Sequence, residues 1–318
     1  MTALLQADRP DFSGSEVGEP ELFEQTVPRT LVHRAAISEV LLTGVRPCEG
    51  DKLRIGAQWS RGHSYYGAVA GRWHDPMLFA EAIRQAGLLI AHEVLAIPLG
   101  FSFLTETMSF GITEDGVQLG RGPAHVVLDV ALRDVVRRGS TVSAFAYDVV
   151  AHRDGRRVGS GSVTAKCLNP SVYRRLRGDY TSATPSRSLP AAIRPELVGR
   201  TCEFDVVLAA ESRDGARALR ADPDHPVLFD HPVDHLPGMV LMEAARQAAL
   251  DALRCPEGLL VACDAEFRKY VEFDSPCLIS TSERESAGPG RQALSVAFRQ
   301  GGTAVADCRV TVSAGSER

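Results

Sequence analysis

A chain of 318 residues, 44% hydrophobic and 24% charged, has the balance of an ordinary globular protein with one large core or two modest ones. Its formal net charge of −5 offers no basic face for nucleic acid. The seven cysteines are odd in number and contain no C-x-x-C pair, which argues against a structural zinc site and for a reducing compartment.

Residues 1–25 show no basic region leading into an apolar core, so no signal peptide is expected and the segment reads as a flexible N-terminus. A strand is expected around "ISEVLLTGVR", and a helix after His74 in "HDPMLFAEAIRQA". The apolar run "AGLLIAHEVLAIPLGF" is broken by His92, Glu93 and Pro98 and is too short to span a bilayer, so no membrane association is expected and the chain reads as cytoplasmic. The aromatic-rich "GFSFLTETMSF" comes next. The stretches "AHVVLDVALRDVV" and "STVSAFAYDVVAH" then read as strands, and Asp154-Gly155 turns into a third.

The Pro-, Ser- and Arg-rich residues 171–194 read as a linker, in which "YRRLRG" is a solvated run or a contact for phosphate or an acidic carrier protein. The pattern then repeats. A strand candidate at "EFDVVLAA" precedes the helix in "HPVDHLPGMVLMEAARQAAL"; further strands follow at "CLISTSERES" and "QALSVAFRQGGTAVADCRVTVS", the last with a Gly301-Gly302 hairpin turn. "EAIRQA" and "EAARQA" lie 162 residues apart, and aligning His74 with His235 requires one inserted residue before Met239. Each half is thus an antiparallel sheet around one helix that is apolar on every side and must be enclosed. The expected fold is α+β, a tandem hot-dog with domains at 26–170 and 195–318.

Inside those helices stand Glu81, Arg84 and Gln85, and again Glu243, Arg246 and Gln247. Glutamate and arginine at i, i+3 share a helix face, and a surface ion pair there would be worth little. These helices offer no wet face. A buried pair costs several kcal/mol per ion to desolvate, which is hard to justify twice as scaffolding alone.

"PRTLVHRAAISEVLLTG", "VYRRLRG" and above all "FDHPVDHLPGMVLMEAARQA" resemble the A-factor biosynthesis family, tandem hot-dog enzymes that make γ-butyrolactone-type hormones. The likeness covers nearly the whole chain beyond about residue 25. It implies an acyltransferase that passes a β-ketoacyl group from a thioester, on acyl carrier protein or coenzyme A, to dihydroxyacetone phosphate. No metal or organic cofactor is implied. More distantly, the second half resembles hot-dog dehydratases, whose catalytic carboxylate falls at Glu243 and whose loop histidine falls near His231. The shorter loop, with Pro-Val in place of Phe-Pro-Gly, argues against dehydration. A thioesterase and a non-catalytic acyl or butyrolactone-binding regulator are the other readings.

Under the implied reaction, Glu243 or Glu81 is the expected base, with its pKa raised by burial. Arg246 and Arg84 would hold phosphate or position the carboxylate, beside Gln247 and Gln85. Backbone N–H groups of Gly238 and Met239, at a helix N-terminus, would receive the oxyanion. His231 is a candidate catalytic group. His235, His63 and His74 lean structural, and Asp234 reads as a helix cap. The Pro237-Gly238 start favours the second repeat as the active one, with Glu243→Ala expected to stay folded and lose activity. If histidine and carboxylate come from different repeats, as in dimeric dehydratases, His231 faces Glu81 instead. A monomer or a homodimer is compatible with a tandem.

Overall fold

The computed structural model describes residues 20–182 and 188–314. The expected flexible N-terminus lies outside the described residues up to residue 19; from there Pro20–Phe23 forms a 3-10 turn that buries Leu22. The first repeat comprises β1 (Leu42–Pro47), β2 (Lys52–Trp59), α1 (Met77–Leu89), β3 (Ser102–Ile112), β4 (Ala124–Arg138), β5 (Thr141–Arg153) and β6 (Arg156–Leu168). Within the segment read as a linker lies a helix, α2 (Pro170–Arg177), capped by the Asn169 side chain on Val172 N. The second repeat comprises β7 (Leu208–Arg213), β8 (Ala216–Leu219), α3 (Gly238–Leu253), β9 (Leu259–Phe267), β10 (Cys277–Thr281), the short β11 (Glu285–Ser286), β12 (Arg291–Gln300) and β13 (Thr303–Ser313).

All strands join one antiparallel sheet in the order β1-β2-β4-β5-β6-β3-β9-β13-β12-β10-β8-β7, with β11 beside β12. The second half of that order mirrors the first. The repeats meet where β3 pairs with β9, from Thr107 opposite Glu266 to Gly111 opposite Ala262. Each of these central strands is the first strand after its repeat's helix, and β3 is the aromatic-rich segment after α1. The sheet encloses both helices, as their all-round apolarity required: every residue from Met239 to Leu250 is buried, and α1 is buried throughout except at Arg84. Gly301 and Gly302 both take positive φ, 56° and 77°, in the expected tight hairpin between β12 and β13. Among the described residues no helix is long and apolar enough to cross a membrane.

Close approach of strand to strand explains Gly159 on β6. A Cβ there would collide with the Gly111 carbonyl on β3 and press on Phe79 of α1. We expect Gly159→Ala to lose about 1–3 kcal/mol in urea unfolding, the usual scale for overpacking a well-filled core.

Candidate active site

The buried glutamates sit in two clusters built to one plan. Glu81 Oε1 accepts from Arg84 Nη2 at 2.7 Å, Gln85 Nε2 at 2.7 Å and Arg34 Nη2 at 2.6 Å. Glu243 Oε1 accepts from Arg246 Nη2 at 2.8 Å, Gln247 Nε2 at 2.7 Å and Arg200 Nη2 at 2.8 Å. Arg34 and Arg200 each follow a 3-10 turn, Arg29–Val32 and Pro195–Val198, that ends on a left-handed residue, His33 or Gly199. Each glutamine also holds the strand leading into its sheet: Gln85 Oε1 accepts from Leu41 N at 2.9 Å, Gln247 Oε1 from Val207 N at 3.0 Å. The arginines then reach into the other repeat, Arg34 Nη1 to Val227 O and Arg200 Nη1 to Tyr65 O.

This arrangement corrects one expectation. Burial does raise the carboxyl pKa, but the two arginines beside each glutamate outweigh it and hold both well below the usual 4.5, at about 2. Neither glutamate is poised as a base.

The repeats also align differently from the sequence reading. His63 Nδ1 accepts from Tyr65 N and Tyr66 N, and His225 Nδ1 from Val227 N and Leu228 N. His225 lies 162 residues after His63, the same offset as Glu243 from Glu81. No residue is inserted, so His235 corresponds to Trp73, not His74, and Pro237 corresponds to Asp75.

Those differences make the two clusters unequal. Asp75 accepts from Arg246 Nη1 at 3.2 Å and caps α1 by accepting from Met77 N at 2.9 Å. Tyr65 stacks on Arg200, 3.9 Å from guanidinium to ring centre. At the other cluster the counterpart of Asp75 is Pro237, which offers no carboxylate. Arg84 is therefore 25% exposed where Arg246 is 5%, and among the described residues its Nη1 has no protein acceptor.

A cavity of about 1090 Å³ opens on this side. His33, Arg34, Arg84, Asp230, His231 and His235 give it a polar end, and Leu88, Phe103, Met108, Phe145, Leu241 and Phe267 are among its apolar walls. Gly238 and Met239 line it too; α3 has no side-chain cap, so its first N–H groups are free of protein acceptors among the described residues. A Cβ on Gly238 would crowd the Phe267 ring at 3.2 Å. The cavity thus brings the first-repeat arginines Arg34 and Arg84 together with the second-repeat loop and the start of α3. Glu81, Gln85, Glu243, Arg246 and Gln247 do not line it.

In the loop, Asp230 accepts from Ala35 N at 2.6 Å and Ala36 N at 3.0 Å, fastening the repeats together. The half-exposed His231 has its Nδ1 3.6 Å from Asp230 Oδ2. Asp234 is not a helix cap: it accepts from the Tyr173 hydroxyl, Arg177 Nε and His235 Nδ1. These partners hold its carboxyl well below the ordinary range against the opposing effect of burial. Arg177 of "YRRLRG" is buried between Asp234 and Glu272, while Tyr173 and Arg174 line the cavity.

The family model described as the A-factor biosynthesis hotdog domain matches residues 18–169 and 181–316. The chain belongs to this family. A Streptomyces virginiae member named 2-oxo-3-(phosphooxy)propyl 3-oxoalkanoate synthase is 40% identical over 92% of this chain and 99% of its own. A Streptomyces coelicolor member of the same name is 35% identical over 92% and 93%. Among solved structures, an oleoyl thioesterase (putative) from Lactobacillus plantarum superposes with a TM-score of 0.52 at 11% identity, covering 83% of this chain and 97% of its own, which shows a shared fold alone. The relatives are named as synthases, which makes this chain an enzyme of that type, and the hotdog model matches it twice, once in each repeat.

The sequence reading did not single out His33, Arg34 or Asp230, which also line the cavity. Comparing the repeats gives the signal for His33, since Gly199 stands at its counterpart, and for Asp230, whose counterpart is Ala68.

The Glu243 cluster changes what its mutation should do. Glu243→Ala leaves Arg200 and Arg246 buried with only Asp75 as carboxylate, so we expect a loss of about 3–5 kcal/mol in urea unfolding rather than an intact fold. Because both folded carboxyls sit at about 2 against 4.5, their stabilisation is full above pH 4.5 and is lost as pH falls toward 2. Acid titration of the unfolding midpoint should show that window, and Glu81→Gln should shrink it.

Proposed function

We propose that this chain is an acyltransferase joining a β-ketoacyl thioester to dihydroxyacetone phosphate, giving a phosphorylated β-ketoacyl ester that opens the synthesis of a γ-butyrolactone-type signal. The observation that supports this reading is the cavity itself: Arg84, whose Nη1 has no protein acceptor among the described residues, and the open N-terminus of α3 stand at the polar end of an apolar chamber. The name borne by the Streptomyces relatives supports the same chemistry.

In this reading the acyl chain lies along Phe103, Met108 and Phe145, and the thioester carbonyl points to the N–H groups of Gly238 and Met239. Developing negative charge on that oxygen is favoured by the helix dipole in a site shielded from water. The acceptor phosphate sits on Arg84, whose second face is locked by Glu81; His231 and His235 flank the acceptor. Glu243, Arg246 and Gln247 maintain the other side of the scaffold. The donor thiol belongs to acyl carrier protein or coenzyme A. The pairing of β3 with β9 joins the two repeats within one chain, which supports action as a monomer; seven free cysteines suit the cytoplasm.

Mass spectrometry of the purified protein with a β-ketoacyl thioester tests this directly. We expect a phosphate-bearing ester, with thiol released only when dihydroxyacetone phosphate is present. Thiol release without the acceptor would identify a thioesterase, and an intact bound thioester a binding protein. Arg84→Ala should raise the KM for dihydroxyacetone phosphate by about 10–100-fold, the loss of one charged hydrogen-bonding partner.

A further inference from the structure

Acyl transfer to an alcohol needs a base for the hydroxyl proton, and the glutamates, held by arginines, do not provide one. We propose that His33 is that base and that His92 is the positioning residue that orients it. The inference deepens the acyltransferase reading and rests on it.

Two local irregularities converge on this pair. His33 ends its 3-10 turn at φ 50°, ψ 53°, the left-handed region that glycine enters freely and side-chain-bearing residues resist. The second repeat has Gly199 there, at φ 68°. His92 lies in a π-helical turn, Ile90–Val94, that continues directly from the end of α1. Its counterpart by the same 162-residue offset is Arg254, where α3 simply ends in a left-handed cap. The second repeat folds with a glycine at the left-handed position and with no π-helical turn, so the fold demands neither histidine. What they produce is one hydrogen bond, His33 Nε2 to His92 Nε2 at 2.9 Å, at the edge of the cavity that His33 lines.

The hydrogen bonds fix which nitrogen is available. His92 Nδ1 is 2.7 Å from the Ile97 carbonyl, which can only accept, so Nδ1 carries the proton. His92 Nε2 is then the acceptor and His33 Nε2–H the donor. That leaves the lone pair on His33 Nδ1, which has no protein partner among the described residues. Burial, followed by His92, Arg84 and His231, holds His33 down at about 4, so it is uncharged at neutral pH. The nearby Arg34 is already paired with Glu81, and Asp230 is held by Ala35 and Ala36. A phosphate dianion on Arg84 offsets that arginine's effect and makes His33 a stronger base once the acceptor has bound.

The step balances without a further reactant. The acceptor hydroxyl gives its proton to His33 Nδ1 as its oxygen bonds to the thioester carbon. The tetrahedral oxyanion collapses, the C–S bond breaks, and the imidazolium returns the proton to the leaving thiolate. Ester and free thiol result.

The test uses the full chain, a β-ketoacyl thioester and dihydroxyacetone phosphate. His33→Gly adopts the residue that the second repeat accepts at this turn, and His33→Asn keeps a residue tolerant of the left-handed region. We expect kcat for ester formation to fall about 10²–10⁴-fold in both, with acceptor KM nearly unchanged. Added imidazole should restore part of the His33→Gly activity, and the NMR titration of His33 should move upward with dihydroxyacetone phosphate but not with dihydroxyacetone. His33→Gly turning over within about threefold of wild type overturns this inference while wild-type ester formation preserves the acyltransferase reading. A defect confined to acceptor KM also overturns it, making His33 a binding residue only. No ester from the wild type overturns both.

Discussion

Burying a carboxylate in the middle of an apolar helix is the constraint around which this protein is organised. Each of Glu81 and Glu243 loses its water, and two arginines and a glutamine amide replace it. Desolvated charges seldom repay their cost by attraction alone. Here Arg34 and Arg200 each give a further donor to a backbone carbonyl, and the glutamines fasten the incoming strand. One carboxylate thereby locks its helix to the turn before it, to its own sheet and, through Arg34 or Arg200, to the other repeat.

The two clusters share a plan and differ in what closes them. Around Glu243 the surplus arginine donor is satisfied by Asp75, and Tyr65 covers Arg200. Around Glu81 the matching loop residue is Pro237, which has nothing to offer Arg84. That single exchange does two things at once. It removes a cap from the helix and a carboxylate from the arginine, so α3 presents free N–H groups and Arg84 a free guanidinium face to the same cavity. Arginines beside apolar walls are what the proposed ligand, with its phosphate and its acyl chain, calls for.

The connection between repeats contributes more than length. Helix α2 delivers Tyr173 and Arg177 onto Asp234, and Asp234 in turn fixes the ring of His235. The loop from Asp230 to Pro237 is therefore tied at one end to Ala35 and Ala36 and at the other to α2. A loop so fastened holds the start of α3 in place, the preorganisation that the proposed oxyanion site calls for.

The sequence by itself determined the fold, while the class of chemistry came from its resemblance to the A-factor biosynthesis family. Apolar helices with no polar face must be enclosed, alternating strands with Gly-Gly turns must pair antiparallel, and the duplicated Glu-x-x-Arg-Gln pattern marked both clusters, because these are local and periodic properties. Only the tertiary structure decided which cluster faces a cavity, that the glutamates are held ionised rather than poised as bases, and that His33 meets His92. The physical reason is that each of these depends on partners far apart in the chain, Arg34 with Glu81, Asp75 with Arg246 and His33 with His92. A carboxylate's surroundings, unlike a helix's periodicity, are not written beside it.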